Sequence, residues 1–140
     1  MTKKKLEFTV KNGVYWDKDY ITNSHWMFAV KKLRRQDLVC LRKLGRLFWL
    51  DTVSPETVAG IHKTGDTLSQ LGQCAKEKEG PVEMNGSGKW VLDKKYQDAV
   101  HNMGLMVLWI PRWEETGHPA AIAFRKKVPV GIIMPMIVGV

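Results

Sequence analysis

The sequence predicts an α+β fold: a mainly antiparallel sheet from N- and C-terminal meanders, with three or four short helices packed on one side. Three observations predict it. Asn12-Gly13 separates two alternating segments near the start, Ser54-Pro55-Glu56 and Asp93 mark helix starts in the middle, and apolar strands separated by turn residues close the chain. At 140 residues the chain fits a single domain, 1–140, large enough to bury a core.

From Lys5 to Val10 the apolar residues Leu6, Phe8 and Val10 alternate, Asn12-Gly13 supplies a two-residue turn, and Val14-Tyr15-Trp16 begins the return. Asp17-Lys18-Asp19 turns the chain again. Tyr20 to Val30, rich in aromatic and β-branched residues, reads as one longer strand completing a three-stranded meander. Gln36 to Leu44 places Leu38, Leu41 and Leu44 at helical spacing, with Gly45 as its stop. Arg46 to Asp51 fits a buried strand or a helix continuation equally. Ser54 caps a helix running to about His62, and Gly65-Asp66 interrupts it, with Asp66 capping a further helix on which Leu68, Leu71 and Ala75 align. Lys76 to Glu79 is a solvated end before Gly80-Pro81.

Asn85-Gly86-Ser87-Gly88 reads as a hairpin tip between Val82–Met84 and Lys89–Leu92, with a mobile loop as the alternative. Asp93 caps a helix from Lys94 to Met103 that Gly104 ends, and Leu105–Ile110 reads as a strand buried on both faces. Ala120–Phe124 and Val130–Ile133 follow. Pro129 and Pro135 cannot donate ladder hydrogen bonds, so the last strand lies at an edge or is divided at a bulge.

The chain carries 22 Lys and Arg against 14 Asp and Glu, a net charge of +8, which calls for an anionic partner: DNA or other nucleic acid, or an acidic protein face. Lys31, Lys32, Arg34, Arg35, Arg42, Lys43 and Arg46 place seven of these charges within sixteen positions, opposed only by Asp37. That cluster is the candidate nucleic-acid-binding site. Arg125, Lys126, Lys127 and Lys3 to Lys5 extend the basic character, and the alternative for the cluster is a solvated helix face. Six tryptophans exceed the need of one small core, and Trp113 beside Arg112 suits an interface anchor.

Catalytic chemistry finds no motif. Ser24, Ser54, Ser69 and Cys40 lack a nucleophile context, Glu114-Glu115 would diverge on a strand, and Asn85 to Lys89 lacks the spacing of a phosphate loop. His25, His62, His101 and His118 are scattered, and Cys40 and Cys74 have no ligand spacing, so no metal, cofactor or catalytic residue is expected. The thiols read as reduced. With no signal-like segment after Met1 and no apolar run near the roughly 18 residues of a membrane span, a cytoplasmic protein without a membrane partner is expected.

Two segments carry a resemblance. Pro129-Val130-Gly131-Ile132-Ile133-Met134-Pro135-Met136-Ile137-Val138-Gly139 resembles the C-terminal strand of bacterial DNA sliding clamps, and Tyr20 to Val30 is similar to the clamp strand in which a Thr, a short polar turn and a His precede alternating apolar residues. In that family the two segments wall a peptide-binding pocket, which implies partner-binding roles for Thr22, His25, Trp26, Ile133, Met134, Pro135 and Met136. Ile137 stands where clamps commonly carry Arg, and Asn23 and Ser24 replace the usual acidic residue and glycine. The resemblance implies a non-catalytic binding module with a basic face toward DNA, a protein partner at its apolar edge, and oligomerisation if it is to form a ring. The alternative is a small phage or mobile-element protein that inhibits a host nuclease or defence complex. A small-molecule-binding domain or enzyme ranks last.

Overall fold

The computed structural model describes residues 7–44, 53–75, 82–84 and 88–138, and the chain divides into two compact units, Met1–Gly65 and Asp66–Val140. The class is α+β with antiparallel pairing throughout the strands described. Lys5, Leu6, Gly45, Arg46 to Asp51, Lys76 to Gly80 and Asn85 to Ser87 lie outside the described residues.

The first unit opens with a meander of β1 (Phe8–Lys11), β2 (Val14–Asp17), β3 (Tyr20–Thr22) and β4 (Trp26–Ala29). Asn12 and Gly13 take φ of 49° and 85°, both left-handed, as a primed two-residue turn requires. The segment from Tyr20 to Val30 is two strands rather than one, so this meander has four strands. Side chains make the extra turn: Asn23 Oδ1 accepts from the amides of His25 (2.9 Å) and Trp26 (3.1 Å), and the Thr22 hydroxyl donates to the Trp26 carbonyl at 2.6 Å. An Asx turn of this kind replaces the glycine that usually announces a reversal. Ser24 accordingly sits at φ 75°.

Register determines what each face meets. Trp16 pairs with Ile21 and Ile21 with Phe28, whereas Tyr15 pairs with Thr22 and Thr22 with Met27, so adjacent residues of β2 point to opposite faces. After a 3₁₀ turn at Val30–Lys32 come α1 (Arg35–Lys43) and α2 (Pro55–Asp66). Ser54 caps α2 as its sequence predicts, its hydroxyl accepting from the Thr57 amide at 3.2 Å. Tyr15, Val58 and Ile61 form a buried cluster flanked by Val10, Tyr20, Met27 and Val53, which ties α2 to the Tyr15 face. The helix does not stop near His62. It runs through Gly65, whose missing side chain leaves room for the Tyr20 ring.

The second unit contains α3 (Leu68–Ala75), β5 (Val82–Met84), β6 (Gly88–Val91), α4 (Lys94–Asn102), β7 (Met106–Trp113), β8 (His118–Arg125), β9 (Val128–Ile133) and β10 (Met136–Val138). Its strands pair in the orders β9-β8-β7 and β10-β6-β5. β8 is buried from Pro119 to Phe124, and its alanines at 120, 121 and 123 allow close approach of whatever packs on them. α3 packs on this meander with Leu68, Gly72 and Ala75 turned inward, and Asp66 is the last residue of α2. Asp93 caps α4 by accepting from the Lys95 amide at 3.0 Å, and Gly104 follows its end at φ 70°.

Proline divides the last strand. Ala123 pairs with Gly131 but Phe124 with Pro129, leaving Val130 as the extra residue of a bulge beside the ring that cannot donate. The chain then leaves β9 at Met134-Pro135 and re-enters as β10, the edge of the small sheet.

Candidate nucleic-acid interface

Two residues orient α1. Asp37, fully buried, accepts from the Arg34 amide at 2.8 Å and from its guanidinium at 3.2 and 3.3 Å, which satisfies the first turn and neutralises the one acid in the basic cluster. Leu41 is buried one turn later. With Asp37 and Leu41 inward, Arg35, Val39, Arg42 and Lys43 occupy the opposite arc at spacings i, i+4, i+7 and i+8, and all four are exposed. Lys31 and Lys32 precede them in the exposed 3₁₀ turn, with Lys31 Nζ 3.3 Å from Asp19. Among the described residues no carboxylate forms an ion pair with Arg35, Arg42 or Lys43. Arg46 lies outside the described residues.

The fold also supplies an aromatic that the cluster lacks in sequence. Arg42 donates from Nε to the Leu38 carbonyl at 3.3 Å and lies over Trp16, 5.5 Å from the ring centroid. This orients a guanidinium that would otherwise sample many rotamers. Trp16 is half-buried on the face of β2 opposite Tyr15. No local signal joins residues 26 positions apart, so the pairing was not legible in the sequence.

A polar network occupies the other face. Asp17 Oδ1 accepts from the amides of Asp19 (2.7 Å) and Tyr20 (2.8 Å), and Oδ2 accepts from the Tyr15 hydroxyl (2.5 Å) and His62 Nε2 (2.7 Å). Burial alone would raise the Asp17 carboxyl, but these hydrogen bonds outweigh it and hold the group below its ordinary value of 3.8. Burial and the adjacent carboxylate push the Tyr15 hydroxyl well above its ordinary value. Since the ionised carboxylate only accepts, His62 carries its proton on Nε2. Sequence reasoning passed over His62, because its partner is 45 residues away.

Asp17, Asp19 and His62 also offer donor atoms within 4.8 Å of one another, a grouping compatible with a cation. Both Asp17 oxygens are already saturated by four donors, so an ion would have to displace one of them. The arrangement fits a structural lock between β2 and α2 better than a metal site. Because the Asp17 carboxyl is more acidic folded than unfolded, its contribution to stability is full above about pH 4 and lost as pH falls below it. Thermal melts between pH 7 and pH 3 should show that loss, and Asp17→Asn should flatten it.

The other sequence candidates fall in both units. Thr22 and Trp26 are buried in the first unit, the Thr22 hydroxyl is engaged within its own turn, and the Trp26 indole nitrogen has no hydrogen-bond partner among the described residues. His25 is exposed. In the second unit Ile133 is buried in β9, Met134 and Pro135 are half-buried, and Met136 is exposed at the start of β10. Trp109 is buried, Trp113 half-buried, and Trp90 stacks on His118 at 4.8 Å. An open, mainly apolar groove of about 420 Å³ runs past Leu92, Val100, Leu105 and Trp109, with Gln97 and His101 as its polar lining. Cys40 and Cys74 are free thiols, and burial pushes Cys40 upward. No described helix is long and apolar enough to cross a membrane.

No family model, curated protein or solved structure matches this chain.

Proposed function

We propose that this protein is a non-catalytic nucleic-acid-binding protein that engages the phosphate backbone through the outer arc of α1. The observation that carries the reading is the set Arg35, Arg42 and Lys43, exposed and without acidic partners among the described residues, with Arg42 oriented by Trp16. Asp37 would ordinarily weaken such a patch, but it is buried and paired with Arg34. Contacts of this kind position a protein on nucleic acid without reading its sequence. The reading rests on this arc rather than on the clamp-like segments, of which Thr22 and Trp26 are buried and His25 and Met136 exposed.

Binding of a labelled 20-base-pair duplex at several salt concentrations tests it. Replacing Arg35, Arg42 and Lys43 with Gln should weaken binding uniformly across sequences and reduce the slope of log affinity against log salt by about 3. An unchanged slope in the folded triple variant would remove α1 from the interface.

One feature favours a protein partner instead. Val39, 43% exposed, stands among the three cations as an apolar anchor of the sort protein interfaces use. If the arc meets an acidic protein surface, Val39→Ser weakens that complex and leaves duplex binding unaltered.

A further inference from the structure

We propose that the β8–β9 hairpin tip, Lys126-Lys127, is a second phosphate-gripping contact, placed in the second unit; the inference rests on the nucleic-acid reading above. Arg125 pairs with Val128 across a two-residue loop in which Lys126 and Lys127 take φ of 48° and 69°. Both lysines therefore hold the left-handed conformation that a side chain disfavours.

The same chain makes the same turn without strain. At β1–β2, Lys11 pairs with Val14 across Asn12-Gly13, whose φ values are 49° and 85°, and those two residue types are the ones such a turn favours. Two hairpins of matching frame thus carry opposite solutions. The β8–β9 turn accepts backbone strain on two consecutive residues and presents two exposed ammonium groups. Strain of this kind persists where a side chain is needed for another purpose.

The tip is also held in place. Arg125 donates from Nη2 to the Met103 carbonyl at 2.7 Å, bracing the hairpin against the end of α4. Lysine is suited to such a contact as a compact charge that meets phosphate oxygens from any direction. Each ammonium is a point charge on a flexible stem without a fixed bidentate geometry, so the ligand assigned to the tip is the phosphate backbone and its contribution is independent of sequence.

Two double variants of the full chain test this against the same 20-base-pair duplex. Lys126→Asn with Lys127→Gly should raise the melting temperature by several degrees, because it relieves the strain, and lower affinity roughly tenfold. Lys126→Gln with Lys127→Gln should keep the wild-type melting temperature and show the same loss. Each should reduce the salt slope by about 2. Wild-type affinity and slope in both folded variants overturn the inference, even when the α1 variant confirms its own site. A loss at the tip with none at α1 supports the tip and overturns the α1 reading. Binding of an acidic protein with no measurable duplex binding overturns both.

Discussion

Alanine at Gly72 is expected to remove about 3 kcal/mol of stability, seen as a lower midpoint in chemical denaturation. Gly72 lies on the inward face of α3, where an added Cβ would stand 2.7 Å from both Cβ and Cγ of Pro129 and 3.5 Å from the Phe124 ring. A flexible side chain would swing away. Proline cannot, because its ring is closed onto a backbone already fixed by pairing with Phe124 and by the adjacent bulge. The helix would have to lift from β9. Gly60 is the control: nothing lies within 4 Å of its added Cβ, so Gly60→Ala should gain up to about 1 kcal/mol from helix propensity alone. Equal midpoints for Gly72→Ala and the wild type would refute this packing of α3.

Removing the Asp17 side chain should be costlier still, at about 4 kcal/mol. Asp17→Ala strands the Tyr15 hydroxyl, the His62 ring and two backbone amides together, with the carboxylate site closed to water. The companion Asp19→Ala removes a partly exposed acid paired with Lys31 and should change stability by no more than about 0.5 kcal/mol. If the two variants unfold at the same denaturant concentration, the four-donor network is not what ties α2 to the meander.

The parts of this fold legible in the sequence are those written in neighbouring residues. Asn12-Gly13, Ser54-Pro55, Asp93 and Gly104 each satisfy or reverse the backbone within a few positions, and each marks a boundary found in the structure. The turn at Asn23 does not show in the sequence pattern, because its signal is a side-chain oxygen inside an apolar, β-branched context. Gly65 misled in the other direction: a residue that commonly breaks helices is there to admit Tyr20. Of the candidate site, the run from Lys31 to Lys43 was visible as charge. Which of its members face outward depends on Asp37 and Leu41 being buried, and the alignment of Arg42 depends on Trp16, contacts that only tertiary structure brings about. The lysine pair at 126 and 127 showed its charge but not its backbone conformation, since no residue there announces a left-handed turn.

The alternation along β2 assigns neighbouring residues to separate tasks. Tyr15 and Asp17 serve the lock with α2, while Trp16 between them lies under Arg42. In a library covering every substitution at these three positions, variants at 15 and 17 would fall out of the soluble fraction, whereas many at 16 would accumulate normally and lose only the ligand. Along this one strand, abundance and binding would rise and fall with a period of two residues.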